Sequence, residues 1–100
     1  MGGGQAGMMQ QIQKLQKQMA EAQEKLAVET VSATSGGGAI KVTMSGDQVC
    51  KGVEIDPDFL KDADAEMLND MVLTAVNLAL EKSRELQEQL MGPLAGGLPF

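Results

Sequence analysis

Residues 36–55 read GGGAIKVTMSGDQVCKGVEI, and this stretch decides the fold. Apolar and polar residues alternate over 40–45, and an alternating apolar face resumes over 49–55. Alternation with a period of two is typical of a half-buried strand, and two such runs around a short turn containing Gly46 predict an antiparallel hairpin. Lys51 interrupts the second apolar face once. Four residues are predicted to form the opposite, polar face of that strand: Gln48, Cys50, Gly52 and Glu54.

A third strand is predicted before the hairpin. Residues 28–34, VETVSAT, are rich in β-branched side chains, which favour strands. The run from Ser35 to Gly38 is interpreted as a flexible connection to the hairpin. A phosphate-binding loop would need a lysine and a following helix, whereas this run leads into a strand. The sequence therefore predicts a three-stranded antiparallel meander, and the poor alternation of its first strand favours an edge position.

A long helix is predicted on each side of the sheet. Residues 5–26 carry apolar side chains spaced 4, 3, 4, 3, 4 on an otherwise polar helix: Met8, Ile12, Leu15, Met19, Ala22 and Leu26. Such a narrow stripe favours packing against another helix. The second helix is predicted to start after Asp62, acting as its N-cap, and to end at Gly92-Pro93. Its apolar residues recur at helical spacing: Leu68, Met71, Val72, Ala75, Leu78, Ala79, Leu86 and Leu90.

These elements predict a single α+β domain over residues 1–100, in the order helix, three strands, helix, with flexible tails at 1–4 and 92–100. A helix of about 20 residues is roughly 30 Å long, which is more than a small three-stranded sheet covers. Part of the apolar stripe on the first helix would be exposed in a monomer. A homodimer is therefore expected, because a symmetric partner can cover such a stripe.

The composition argues against an enzyme or a metal protein. The chain has no histidine and one cysteine, so Ser-His and Cys-His pairs, histidine metal ligands and zinc sites are excluded. The acidic residues from Asp56 to Glu66 do not form an EF-hand loop, because the required glycine and glutamate positions hold Lys61 and Met67. Helix-start chemistry explains these carboxylates. An enzyme that acts through carboxylates or lysine is the least favoured alternative, and we expect no catalytic residue, no metal, no cofactor and no small-molecule substrate.

Charge and hydropathy narrow the partners. No apolar run approaches the roughly 20 residues that span a bilayer, so the expected location is the cytoplasm, with no membrane partner. A net charge of -6 opposes nucleic-acid binding unless a local basic patch exists. The chain has two aromatic residues, too few for the base stacking by which proteins hold single strands. Duplex contact through the backbone is the more plausible DNA-binding mode.

The first helix carries the candidate basic patch. Lys14 and Lys25 are eleven residues apart and point the same way, with Lys17 about 60° to one side. Lysines in this arrangement can contact phosphates, with glutamines hydrogen-bonding phosphate or sugar. The alternative is a solvated face on which Glu21 pairs with Lys17 and Lys25 at i,i+4 spacing. Both interpretations are open from the residues alone.

Four further basic residues are ambiguous in the same way. Lys82 and Arg84 on the second helix are candidate DNA contacts, but Glu81, Glu85 and Glu88 flank them, which favours a salt-bridged surface. Lys41 and Lys51 in the hairpin are interpreted as solubilising residues on an exposed sheet face.

The chain resembles the YbaB/EbfC family of bacterial nucleoid-associated, DNA-binding proteins. The resemblance spans nearly the whole sequence and rests on six segments in order: MMQQIQKLQKQM at 8–19, GGGAIKVTMSG at 36–46, IDP at 55–57, DAEMLNDM at 64–71, AVN at 75–77 and GGLP at 96–99. It implies an α-β-β-β-α subunit, a tweezer-shaped homodimer, a place on the nucleoid, and binding to double-stranded DNA with little sequence preference.

The combined hypothesis is a non-enzymatic, homodimeric nucleoid-associated protein. Its phosphate contacts are assigned to Lys14, Lys17 and Lys25, with Lys82 and Arg84 as further candidates. The alternative is a protein-interaction adaptor, a dimer whose helices and methionine-rich stripes bind another protein, with weak or no DNA binding. Charge reversal of the three lysines on the first helix distinguishes the two hypotheses.

Overall fold

The computed structural model describes the backbone of residues 3–96 and the side chains of residues 7–92. The elements are α1 (Gly3–Val28), β1 (Thr30–Ser35), β2 (Ile40–Ser45), β3 (Cys50–Ile55), α2 (Pro57–Asp62) and α3 (Ala65–Gly96). The strands form one antiparallel sheet in the order β1-β2-β3. The predicted α+β class and its meander are confirmed.

The core lies between the sheet and α3. The alternation of β2 directs Ile40, Val42 and Met44 to one face, where all three are buried. They pack in one cluster with Ala75 and Ala79 of α3, both of which are fully buried. Alanines at these two positions let the helix axis approach the sheet closely. Burying one side chain such as Val42 stabilises the fold by roughly 1.5–3 kcal/mol, so this small cluster holds α3 on the sheet.

The register of the hairpin explains the interrupted alternation of β3. Val53 lies opposite Val42, but Cys50 lies opposite Met44, with an irregularity between Thr43 and Met44 that leaves Lys51 without a partner. This β-bulge places the extra residue on β3. The prediction that Cys50 lies on the polar face with Glu54 was wrong, because the bulge shifts the alternation by one residue at Lys51.

The start of the second long helix also differs from the prediction. Asp62 is the last residue of the short helix α2, which the sequence reading missed, and the N-cap of α3 is Asp64. The Asp64 carboxylate accepts from the Met67 N–H at 2.8 Å. Helix α2 begins in the same way: the Asp56 carboxylate accepts from the Asp58 N–H at 3.0 Å, and Pro57 occupies the first helical position. Closely spaced aspartates offered competing caps, and the structure uses two of them.

These caps lead to a testable difference. Asp64→Ala should lower the free energy of unfolding by about 1 kcal/mol, since the Met67 N–H loses its acceptor. Asp62→Ala removes the same charge but no N-cap of α3, so it should change stability by less than about 0.5 kcal/mol. Urea unfolding followed by circular dichroism measures both. Equal effects of the two variants would contradict the assignment of Asp64 as the cap.

The connection between β1 and β2 is a defined turn. Gly36, Gly37 and Gly38 all have positive φ, at 61°, 69° and 97°, within a 3₁₀ turn. The Ser35 hydroxyl donates to the Met71 carbonyl at 2.7 Å and ties this end of the sheet to α3. A Cβ on Gly36 would lie 2.7 Å from Met71 Sδ. The turn therefore requires glycine for its backbone conformation and, at Gly36, also for space.

Two glycine variants separate these causes. Gly37→Ala should cost about 1–2 kcal/mol, because alanine resists the left-handed region while a Cβ there meets open space. Gly36→Ala should cost more, since Met71 must also move. Gly52→Ala, without positive φ or a near neighbour, is the matched control and should change little. Chemical denaturation ranks the three, and a Gly36→Ala variant no weaker than Gly37→Ala would contradict the close approach of Met71.

The ends of the long helices lie further out than predicted. The prediction that Gly92-Pro93 ends the second helix was wrong, because α3 continues to Gly96. A proline removes one hydrogen bond to the carbonyl four residues earlier, and here that loss falls near the end of a 32-residue helix. Helix α1 extends to Gly3 and Val28, so β1 starts two residues later than expected. Of the predicted tails, residues 1, 2 and 97–100 lie outside the described residues.

Candidate nucleic-acid interface

The two long helices form an arm that leaves the sheet. Helix α1 ends at Val28, where the chain continues into β1. Helix α3 packs across the sheet and continues beyond Leu86. The described chain measures 75 × 22 × 16 Å, and α1 packs against α3 beside the sheet, so both helices leave the sheet on the same side. We define the arm as residues 7–25 of α1 and 84–92 of α3. It presents a long, narrow surface on which most side chains of α1 between residues 8 and 25 are exposed.

Burial of the predicted α1 stripe decreases along the arm. Leu26 and Ala22, next to the sheet, are buried at 4% and 8% exposure. Leu15 is half-buried, whereas Ile12 and Met8 are 50% and 63% exposed. The stripe therefore packs against α3 near the sheet and is open toward the free end of the arm, as the helix length predicted.

The three candidate lysines of α1 lie on the outer side of the arm. Lys17 is about 180° from the buried Leu26, and Lys14 and Lys25 are about 100–120° from it on one side. All three are exposed. They are spread over about 17 Å of helix, a length along which duplex DNA presents about ten phosphate charges. The surface has the dimensions for backbone contact with a duplex.

These lysines are not in ion pairs within the described part of the chain. Among the side chains of residues 7–92, the one pair within 4.0 Å is Lys61 with Asp58, at 3.4 Å. The predicted pairs of Glu21 with Lys17 and Lys25 are absent at that distance. Flexible side chains on a fully solvated helix gain little from such contacts, so the ammonium groups stay available.

Lys82 and Arg84 occupy different positions on α3. The Lys82 ammonium donates to the Ser32 carbonyl at 2.9 Å, on the free edge of β1. Arg84 lies on the arm, in a shallow groove with Met91. Among the described side chains, neither residue forms the salt bridges that the flanking glutamates suggested. The Lys82 ammonium bonds the Ser32 carbonyl instead. The structure thus brings Arg84 onto the same arm as the α1 lysines and places Lys82 at the sheet.

Charge is unevenly distributed along the molecule. Residues 1–20 contain two lysines and no acidic residue. Residues 56–70, which form α2 and the start of α3 at the far end, contain one lysine and six acidic residues: Asp56, Asp58, Asp62, Asp64, Glu66 and Asp70. The net charge of -6 therefore does not describe the outer part of α1: residues 7–20 carry two lysines and no carboxylate, whereas the arm as a whole carries four basic and four acidic side chains.

The arm is attached to the sheet at one junction around the β2–β3 turn. The buried Gly46 lies against Leu26 of α1 and Leu86 of α3. The Ser83 hydroxyl of α3 donates to the Ser45 carbonyl at 2.8 Å. Sequence reasoning missed Ser83, although a serine within the apolar stripe of a helix signals a buried hydroxyl that needs an acceptor.

One apolar surface of the sheet is uncovered. Val53 faces the same side as its fully buried partner Val42, yet it is 49% exposed, and five of the six β3 residues are exposed. Helix α3 lies over β1 and β2 instead. Its own apolar flank continues from Val76 to Leu73, which is 60% exposed. Because Lys82 points to β1, this flank faces β3. We name Val53, Leu73 and Val76 the β3-side patch.

The described residues form neither a cluster of metal ligands nor a membrane-spanning helix. Across that part of the chain, no three His, Cys, Asp or Glu side chains converge as metal ligands would. None of the described helices combines the length and the apolarity needed to cross a membrane.

Comparison with known proteins decides the family. The sequence profile of the YbaB/EbfC DNA-binding family matches residues 1–98. The chain belongs to this family. A nucleoid-associated protein of Pelotomaculum thermopropionicum is 47% identical over 98 residues, which is 98% of this chain and 93% of that protein. A nucleoid-associated protein of Streptomyces avermitilis is 44% identical, over 97% of this chain and 88% of that protein.

A solved structure has the same fold. The crystal structure of an uncharacterized protein from Helicobacter pylori superposes with a TM-score of 0.76, over 96% of this chain and 99% of that one, at 23% sequence identity. Membership of a DNA-binding, nucleoid-associated family makes DNA the partner class of this chain.

Proposed function

We propose that the chain is a non-enzymatic homodimer that binds duplex DNA with little sequence specificity through its helical arms, on the nucleoid in the bacterial cytoplasm. The observation that supports this most is on the arm: Lys14, Lys17 and Lys25 are exposed and form no ion pair with any described side chain. The chain also belongs to a family of DNA-binding proteins. Lysine contacts to phosphates carry no sequence information. Binding through such contacts therefore has low specificity for DNA sequence.

The remaining basic residues have secondary roles in this proposal. Arg84 adds a guanidinium to the α3 side of the arm and can bind a phosphate through two N–H groups. Lys82 keeps two further N–H donors while one reaches Ser32. It would contact DNA that lies across the base of the arm.

Dimerisation is supported by the β3-side patch. An exposed Val53 directly beside a buried sheet face leaves apolar surface that a symmetric partner can cover. A stable interface buries about 800 Å² on each partner, and we assign it to the exposed strand β3 together with the adjoining flank of α3. A dimer places two lysine-bearing arms on one particle, and the tweezer shape implied by the family resemblance would let both arms contact one duplex.

An adaptor function is the second candidate, and one observation favours it. Met8 and Met9 are 63% and 61% exposed at the free end of the arm, where α3 does not cover them. Methionine side chains adapt to varied apolar partners. An adaptor of this kind would bind a protein through the methionines and would leave duplex DNA unbound.

A binding comparison tests the proposed function. Three labelled duplexes of unrelated sequence and equal length, and one single strand of that length, are titrated with the purified protein at about 50 mM salt. The three duplex dissociation constants should agree within about threefold, far from the 10³-fold or greater preference of specific binders, and the single strand should bind more weakly. Absence of any duplex binding would favour the adaptor, and tighter binding of the single strand would overturn the duplex mode.

A further inference from the structure

We infer that the β2–β3 turn sets the direction of the arm, and that Gly46 and Ser83 are positioning residues for DNA binding. The inference rests on the proposed function for its consequence, although the geometry of the junction stands by itself. Three consecutive turn residues, Ser45, Gly46 and Asp47, each bond to a different segment of the arm base. Both helices of the arm are therefore fastened to the same few atoms.

The turn provides the C-terminal cap of α1. The Asp47 N–H donates to the Leu26 carbonyl at 3.2 Å, and the Gly46 N–H donates to the Glu29 carbonyl at 3.1 Å. Carbonyls in the last turn of a helix have no partner within the helix, and here one of them is satisfied by a residue about twenty positions away in sequence. The first bond holds the last turn of α1, and the second holds Glu29, the residue between α1 and β1, so the direction of α1 follows the turn.

The turn holds α3 through buried hydroxyls. Ser83 and Ser45 are both fully buried, and the Ser83 hydroxyl donates to the Ser45 carbonyl. The Ser45 hydroxyl donates to the Asp47 carboxylate and accepts from the Val49 N–H at 3.1 Å, which fixes the conformation of the turn. A buried hydroxyl with a single well-placed acceptor is directional, so it resists rotation of α3 relative to the turn.

Close packing at Gly46 completes the junction. A Cβ at this position would lie 2.5 Å from Leu26 Cδ2, 3.2 Å from Leu26 Cα and 3.1 Å from Leu86 Cδ2. The Leu26 side chain could turn away, but the α1 backbone at its Cα could not. A side chain here must push α1 away from the turn, whereas glycine lets the two helices and the turn meet.

Small changes at the junction are amplified at the lysines. A shift of about 0.5 Å at a contact about 5 Å from the helix axis tilts α1 by about 6°, which moves Lys14, about 18 Å further along the helix, by about 2 Å. Movement on this scale alters which phosphates two arms reach together. The junction therefore controls the spacing of the basic surfaces without contacting DNA.

Pulsed electron paramagnetic resonance measures the arm direction without DNA. Nitroxide labels are placed at exposed Gln13 and Glu54 by cysteine substitution in a Cys50→Ser background, and labelled protein is diluted with excess unlabelled protein so that distances are intramolecular. Gly46→Ala should shift the distance distribution by about 2 Å or more, from the tilt of α1 derived above. Ser83→Ala should broaden the distribution, because α3, against which α1 packs, loses its bond to the turn. Duplex affinity of the same variants should fall about three- to tenfold with every lysine intact.

Two controls separate positioning from general destabilisation. Thr74→Ala removes a hydroxyl that bonds only the Asp70 carbonyl of its own helix, and Val42→Ala weakens the core away from the junction. Both should keep the wild-type distance. Unchanged distances in Ser83→Ala and Gly46→Ala, or equal changes in Val42→Ala, would overturn the inference. Failure of the wild type to bind duplex would instead remove the proposed function and leave the distance result as the test of the junction.

Discussion

Replacing Lys14, Lys17 and Lys25 by glutamate is expected to weaken duplex binding at least about 100-fold at ~50 mM salt. The physical reason is counterion release: the slope of about -0.9 in log affinity per phosphate contact corresponds to roughly tenfold per contact at that salt concentration. Loss of two or three phosphate contacts per arm is then enough for a loss of affinity of about 100-fold. The introduced carboxylates also repel the phosphates. Fluorescence anisotropy of a labelled duplex measures the change.

A matched variant distinguishes the loss of phosphate contacts on the arm from the change in net charge. Reversing Lys41, Lys51 and Lys61 makes the same change in total charge on the sheet and on α2, away from the arm. This control should lose affinity by less than about tenfold, because only long-range repulsion, screened beyond ~10 Å, acts on the bound DNA. All six positions are exposed, so folding should be retained in both variants. Equal losses in the two variants would show that charge in general, and not the arm, governs binding.

Introducing aspartate at Val53 and Leu73 is expected to convert the proposed dimer into a monomer. Each protomer would present two carboxylates to the apolar surface of its partner. Central interface residues contribute about 2 kcal/mol or more each, so the dimer dissociation constant should rise at least about 100-fold. Sedimentation velocity over a concentration series measures the shift. Duplex affinity should also fall, because a monomer has one arm.

Val28→Asp is the control for the dimer prediction. Val28 is 76% exposed at the end of α1, outside the β3-side patch, so a charge there should leave the assembly unchanged. Since Val53 and Leu73 are about half exposed or more in the single chain, their aspartate variants should keep the circular dichroism spectrum of the wild type. A wild type that sediments as a monomer at ~100 μM, or a double variant that remains dimeric, would place the interface elsewhere or remove it.

The elements of the fold were accessible to sequence reasoning because they depend on local periodicity. The period-two pattern of 40–45 and the heptad-like stripe of α1 both reflect one buried face, and both elements were located within a few residues. The boundaries that were missed involve competition between local signals. Asp56, Asp62 and Asp64 are all acceptable caps, and only tertiary packing of α3 selects among them.

Features that depend on distant segments were not predictable. The bulge at Lys51 arises from the pairing of β3 with β2. The apolar-polar alternation around Val53 is the same whether or not a helix covers that face of the sheet, so the sequence does not show that Val53 is exposed. The junction at Gly46 requires α1, the turn and α3 to meet, so no single stretch of sequence shows it. The candidate lysines were identified from their spacing, but their freedom from Glu21 and the engagement of Lys82 by Ser32 required the structure.

Phosphate contacts between the arms and duplex DNA are best tested by the salt dependence of duplex affinity in the wild type. A labelled duplex is titrated at several salt concentrations from about 50 to 200 mM. With three lysines on each of two arms, we expect a linear log-log plot with a slope between about -3 and -5. The triple glutamate variant should show no measurable binding. No binding of the wild type at about 50 mM salt, or binding that is independent of salt, would show that the arms do not contact phosphates.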